Sequence, residues 1–166
     1  MEIYILRHAP AVKRGTAEYP NDDRPLTKNG IQKMKLGARG IRNILRSVDV
    51  ILTSPLIRST DTAKIVAMAL KYKHKMLSCE ELLPNVPTND LLHYVTKFKP
   101  SAKVLLVGHE PGLGLTVSAL LGSSKPIIEL KKGAMCRIDV NELPLKEPGK
   151  LIWHLTPRQL RALSSK

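Results

Sequence analysis

The sequence predicts an α/β fold: a single three-layer α/β/α domain with a mostly parallel central sheet. Three observations carry this. Apolar runs of strand length alternate along the chain with longer stretches of helical periodicity. Two of those runs, inside Glu2–Arg7 and Lys103–Gly108, are continuously apolar, as strands buried on both faces are. No repeat, low-complexity tract or linker interrupts the 166 residues, so one domain over 1–166 is expected.

Taken in order, Glu2–Arg7 reads as a buried first strand. Arg14–Asn29 is polar and holds Gly15, Pro20 and Pro25, so it reads as a long loop. Thr27 can cap a helix whose apolar residues Ile31, Met34, Ala38, Ile41 and Leu45 recur in steps of three and four. Val48–Thr53 follows as a second strand. Ser54-Pro55 then offers an N-cap with proline at the first helical position, and the helix runs to about Leu70. A short strand over Lys75–Cys79 and a helix over Asn89–Phe98 lead to the strand Lys103–Gly108 and a helix to about Leu121. Ile127–Leu130, Ala134–Val140 and Leu151–His154 read as later strands, some antiparallel at the sheet edge. Thr156-Pro157 opens a last short helix.

Composition narrows the partners. The 27 Lys and Arg outnumber 14 Asp and Glu, for a net charge of +13, which favours anions such as a phosphorylated substrate or an acidic surface. The cations are scattered and only one Phe and one Trp could stack on bases, so nucleic acid is not expected as a partner. The apolar opening is too short for a signal peptide and nothing approaches a membrane span, so a cytoplasmic protein with no membrane partner is expected. Cys79 and Cys136 form neither a disulfide framework nor a zinc spacing.

Three strand-to-helix junctions carry the chemistry. The first strand ends in Arg7-His8, the second leads through Thr53-Ser54-Pro55 to Arg58, and Lys103–Val107 ends in Gly108-His109. Carboxyl ends of parallel strands form the ligand crevice of an open α/β sheet, so these four side chains can converge. Each alone has an ordinary structural explanation; their shared position is what points to a site. Two arginine forks suit phosphoryl oxygens, and Arg58 falls in the first turn of a helix, where free N–H groups also favour an anion. A neutral histidine can attack phosphorus and carry the group as a covalent intermediate. Fixed cations can then supply the charge stabilisation without a metal.

Other phosphate chemistries fail on spacing. Gly149-Lys150 is followed by Leu151 and lacks the upstream glycine of a phosphate-binding loop. A cysteine phosphatase needs arginine six residues after its cysteine, where this chain has Asn85 and Glu142. Asp22, Asp23 and Asp61 form no metal cluster, so neither metal nor cofactor is expected.

The motifs resemble a family. Leu6-Arg7-His8-Ala9 is similar to the Arg-His-Gly signature of the histidine-phosphatase (phosphoglycerate-mutase-like) superfamily. The stretch from Ser54 to Ala63 is similar to its Ser-Pro-x-x-Arg-x-x-x-Thr-Ala segment, and Gly108-His109-Glu110-Pro111 to its Gly-His-x-Pro segment. Asp23-Arg24-Pro25-Leu26-Thr27, with Gly30, resembles the segment that commonly follows the first motif. The likeness spans residues 2 to about 157. It implies that His8 is the phospho-accepting nucleophile, that Arg7 and Arg58 bind phosphate, and that His109 stabilises the transferring group. Ala9 replaces the usual glycine, as is typical of the short bacterial branch, the SixA-type phosphohistidine phosphatases. The small size and the Trp153-His154-Leu155-Thr156-Pro157 ending suit that branch as well.

Larger relatives place an acidic residue shortly after the third strand, where this chain has Glu80 and Glu81; these are candidates for a general acid or simply loop residues. An imidazole leaving group can be protonated near neutral pH without a dedicated acid. The resemblance thus implies a monomeric hydrolase of phosphohistidine on a phosphotransfer or histidine-kinase-type protein, acting in signal transduction. The alternatives are a general small-molecule phosphomonoesterase and a phosphate-binding module with little turnover.

Overall fold

The computed structural model describes residues 1–165. Strands β1 (Glu2–Arg7), β2 (Val50–Thr53), β3 (Leu77–Ser78), β4 (Lys103–Gly108), β5 (Met135–Asp139) and β6 (Lys150–Leu155) alternate with five helices. These are α1 (Lys28–Ile44), α2 (Ile57–Leu70), α3 (Thr88–Val95), α4 (Gly112–Leu120) and α5 (Pro157–Ala162). The sheet order is β3-β2-β4-β1-β5-β6. The first four strands are mutually parallel, while β5 runs antiparallel to both β1 and β6.

Side-chain alternation along the strands divides the core in two. Ile3, Ile5, Leu52, Val104 and Leu106 pack with Leu91 and Val95 of α3 and Leu113 and Val117 of α4. Tyr4, Leu6, Ile51, Leu105 and Val107 pack against Met34, Ala38 and Ile41 of α1, Val66 of α2 and Leu160 of α5. Ile3–Leu6 of β1 and Val104–Val107 of β4 are therefore continuously apolar, because both faces are covered.

Register is what builds the site. Arg7 lies opposite Gly108 across β1 and β4, and Thr53 opposite Val107 across β2 and β4. The residues just beyond these strands, His8, Ser54 and His109, consequently emerge side by side. Gly30 lets the chain leave β1 closely: a Cβ there would stand 2.0 Å from the Pro10 carbonyl oxygen. Thr27 caps α1 by accepting from the Gly30 amide, as the sequence predicts.

Two expectations need correction. Ile127–Leu130 forms no strand, because side chains take its backbone groups: the Ile127 amide donates to Ser118 Oγ, the Leu130 amide to Glu110, and the Leu130 carbonyl accepts from Arg7. Ser54-Pro55 does not open α2, whose N-cap is Leu56 with no side-chain cap. The Ser54 hydroxyl is turned to His109 instead. The remaining elements lie within a few residues of their predicted limits, and Thr156-Pro157 does open α5, with a full capping box.

Candidate active site

The structure brings all four predicted residues to the carboxyl edge of the sheet. His8 continues β1, with its amide donating to the Gly108 carbonyl at 3.1 Å. Its ring is 5% exposed and lies 5.0 Å, centroid to centroid, from that of His109. Nδ1 of His8 is 2.8 Å from the Ala9 carbonyl oxygen. A carbonyl can only accept, so this bond places the proton on Nδ1 and leaves the lone pair on Nε2. Burial lowers the ring's pKa from 6.5 to about 3, and the Arg58, Arg7 and Lys132 cations push it the same way against the Ala9 bond. His8 is thus neutral at physiological pH, with a free lone pair on Nε2.

His109 is fixed by two hydroxyls that sequence reasoning did not single out. Its Nε2 lies 2.9 Å from Ser54 Oγ and 3.2 Å from Ser59 Oγ. The tautomer that accepts from these hydroxyls carries its proton on Nδ1. Burial, with Arg58 next, also holds this ring at about 3. Thr62, one helical turn beyond Arg58, accepts from the Ala9 amide at 3.0 Å and donates to the Arg58 carbonyl at 2.7 Å. That pair of bonds ties the residue after His8 to α2. The signal was available, since Ser54, Ser59 and Thr62 all lie within the Ser54–Ala63 segment.

The arginine forks are held through their Nη atoms. Arg58 is 2% exposed; its Nη1 donates to the Asp22 carbonyl at 2.6 Å and its Nη2 to the Asp22 carboxylate at 3.1 Å. Burial would raise the Asp22 pKa, but hydrogen bonds from Arg14, Arg58 and Arg24 outweigh it and hold the carboxyl at about 2. Arg7 Nη1 donates to the Leu130 carbonyl at 2.5 Å. Glu110 positions that carbonyl, accepting from the Leu130 amide at 2.8 Å and the Gly114 amide at 3.2 Å.

What remains unmatched is informative. Arg7 Nε, Arg58 Nε and His109 Nδ1 are buried without a hydrogen-bond partner among the described residues. A buried donor without an acceptor costs about 1–3 kcal/mol, and an anion bound beside His8 is a group that can match these three. The Lys132 ammonium adds to the field: desolvation, then Arg7, Arg24 and Arg58, lowers its pKa. No group of three His, Cys, Asp or Glu with metal-holding geometry occurs among the described residues.

The two glutamates diverge. Glu80 and Glu81 sit in a one-turn 3-10 helix, Glu80–Leu82, after β3. Glu80 is exposed. Glu81 lines a small cavity together with His109, and its carboxylate accepts from Cys79 Sγ at 3.2 Å.

Comparison with known proteins places this architecture. An uncharacterized protein of Picosynechococcus sp. is 36% identical over 139 residues, 81% of this chain and 82% of that one. The phosphohistidine phosphatase SixA of Escherichia coli K12 is 26% identical, with 97% of both chains covered. A structure of the protein histidine phosphatase SixA complexed with tungstate superposes with a TM-score of 0.84 at 25% identity, covering 96% of this chain and 99% of that one. Fold and relatives together define a class, the metal-independent α/β phosphatases. The sequence profile of the histidine phosphatase superfamily (branch 1) matches residues 3–82. The chain belongs to that superfamily, in its SixA-type branch.

Proposed function

We propose that this chain hydrolyses phosphohistidine on a phosphotransfer or histidine-kinase-type protein, through a phosphoenzyme on His8. The observation that carries the reading is the group of buried, unmatched donors around a neutral His8 whose Nε2 holds a lone pair. In the proposed cycle Nε2 attacks phosphorus while Arg7, Arg58 and His109 donate to the phosphoryl oxygens. The substrate ring takes a proton from solvent on its free nitrogen, the bond from phosphorus to its other nitrogen breaks, and it leaves as neutral imidazole. Water then attacks the phosphoryl group on His8, releasing inorganic phosphate and restoring the neutral ring. The name of the Escherichia coli relative supports the substrate class. The reading includes one domain over the whole chain and a monomer acting in cytoplasmic signal transduction. No helix among the described residues is long and apolar enough to cross a membrane.

A second reading has its own observation. Glu81 lines the cavity that His109 also lines, so a general acid for ester leaving groups is within the same neighbourhood. On that reading the chain is a general phosphomonoesterase.

The test is His8→Ala together with trapping. Wild-type protein mixed with substrate and analysed without acid should show a transient adduct of roughly 80 Da on His8, one phosphoryl group. His8→Ala should show neither adduct nor turnover while keeping its fold, since His8 follows a strand and fills no core position. Full activity in the alanine variant would reject the assignment.

A further inference from the structure

His109 meets two hydroxyls with a nitrogen that can accept from one. Its Nε2 lies 2.9 Å from Ser54 Oγ and 3.2 Å from Ser59 Oγ, and all three residues are buried. An unprotonated ring nitrogen carries a single in-plane lone pair, so both hydroxyls converge on the same acceptor. They arrive from different segments. Ser54 follows β2, while Ser59 sits in the first turn of α2, directly after Arg58. In the Ser-Pro-x-x-Arg-x-x-x-Thr-Ala pattern Ser54 falls on a specified position and Ser59 on an open one.

The direction of these bonds follows from what else the atoms touch. Ser54 Oγ also accepts from the Leu56 amide, at 3.4 Å, which leaves its hydrogen to be given. Ser59 Oγ has no hydrogen-bond partner besides Nε2 among the described residues. Burial keeps the ring neutral, so it has one N–H to place. A proton on Nε2 would leave both serine hydrogens buried without an acceptor, an unfavourable arrangement. A proton on Nδ1 satisfies them. With Nε2 engaged, Nδ1 is the polar atom the ring has left for a ligand. It is buried without a partner, on a ring whose centroid lies 5.0 Å from that of His8.

We propose that Ser59, acting with Ser54, is a positioning residue for phosphoryl transfer: the pair locks His109 in the tautomer protonated on Nδ1, so that the ring meets the phosphoryl group as a donor. The proposal rests on the reading above, in which that group is carried on His8. A donor set before the substrate arrives needs no reorganisation during the reaction. The opposite tautomer would turn a lone pair toward an anion. Sharing one acceptor gives the pair a signature: either hydroxyl holds the tautomer alone, so losing both costs far more than the two single losses combined.

The experiment compares wild type, Ser54→Ala, Ser59→Ala and the double variant. Long-range proton–nitrogen correlation spectra of protein with isotope-labelled histidine, taken near neutral pH, read the tautomer of each ring, with His109→Asn to assign the signals. Calorimetric titration with tungstate reads anion affinity, and steady-state kinetics use phosphohistidine and p-nitrophenyl phosphate. In wild type and both single variants Nδ1 of His109 should carry the proton. In the double variant the two nitrogens should average, with tungstate affinity and kcat down by about 10- to 100-fold, toward the loss of one preorganised donor. Each single variant should lose about 3-fold or less. His8, whose Nδ1 is held by the Ala9 carbonyl, should keep its pattern in all four proteins and so reports that the site is assembled. A wild-type His109 protonated on Nε2 overturns the proposal. So does a double variant that keeps the Nδ1 proton and full tungstate affinity. Ser54→Ala as damaged as the double variant, beside an unaffected Ser59→Ala, overturns it too, since Ser59 then has no part. A locked ring in a wild type that forms no phosphoenzyme on His8 overturns instead the reading of the reaction, and the spectra keep the two results apart.

Discussion

Two imidazoles kept neutral by burial make the protein sensitive to mild acid, and the size of the effect follows from the structure. His8 and His109 each fall from 6.5 to about 3 on folding. The unfolded chain thus binds protons below about pH 6.5 that the folded chain refuses. Their folded pKa values lie below the unfolded ones, so stability present above about pH 6.5 is lost as pH falls toward about 3. At one proton per group and 1.36 kcal/mol per pH unit, each histidine costs about 2 kcal/mol between about pH 7 and pH 5. Together they cost about 4 kcal/mol, a large share of the stability of a domain this size. His8→Asn removes one of these protons and part of the repulsion that lowers His109. Its loss of stability over the same interval should be smaller than that of wild type by about 2 kcal/mol or somewhat more. His154, also lowered by burial, contributes equally to both proteins and cancels. Urea unfolding at the two pH values, followed by circular dichroism and extrapolated to water, measures the difference. The same acid-induced loss in both proteins would refute the argument, as would a wild type equally stable at both pH values.

Arg58→Lys should lower kcat/KM by about 100-fold or more, since lysine keeps the charge but cannot bond Asp22 and a phosphoryl oxygen from one rigid fork; near-normal steady-state kinetics would mean Arg58 does not touch the phosphoryl group. Glu110→Ala frees the Leu130 segment that holds Arg7, so affinity for inorganic phosphate or tungstate should weaken several-fold along with about 1–3 kcal/mol of stability. Calorimetric titration showing unchanged anion affinity would make Glu110 purely structural. Joint removal of Glu80 and Glu81 (both to Gln) should leave phosphohistidine hydrolysis nearly unchanged, with p-nitrophenyl phosphate usable and plain alkyl phosphates very poor substrates. General-acid assistance is worth about 10²–10⁴-fold, so efficient alkyl phosphate cleavage that Glu81→Gln destroys would favour the phosphomonoesterase reading.

The parts of the fold that were legible in the sequence are those where local signals and burial agree. Ile3–Leu6 and Val104–Val107 are apolar at every position because helices cover both sheet faces, and Thr27 and Thr156 are side-chain caps in fact as well as in pattern. Illegible parts depended on partners distant in the chain. The apolar stretch Ile127–Leu130 has strand composition, yet Ser118, Glu110 and Arg7 claim its backbone groups from far away. Ser54-Pro55 has the look of a helix start, but the hydroxyl serves His109, 55 residues on. Within the candidate site, the four residues at strand ends could be found because their position follows from topology. Asp22 could not be singled out, since its contact with Arg58 depends on the path of an irregular loop.

The cations of the site do two things through one field. Burial, and beside it the Arg58, Arg7 and Lys132 cations, oppose a further positive charge on His8, so the ring stays neutral in surroundings rich in proton donors. The same cations are the groups that would hold a phosphoryl dianion. In the proposed cycle the arriving dianion cancels much of that field, and the reason for refusing protons weakens just when the leaving imidazole needs one. Asp22 keeps the balance from the other side. It neutralises one face of Arg58 through two bonds, yet leaves Arg58 Nε unmatched in the interior. A carboxylate placed on that Nε instead would occupy the anion's position and raise the pKa of His8, costing both affinity and nucleophile. Asp22 can orient the fork and still spare the pocket because it contacts only the Nη atoms, which the loop before α1 reaches from outside.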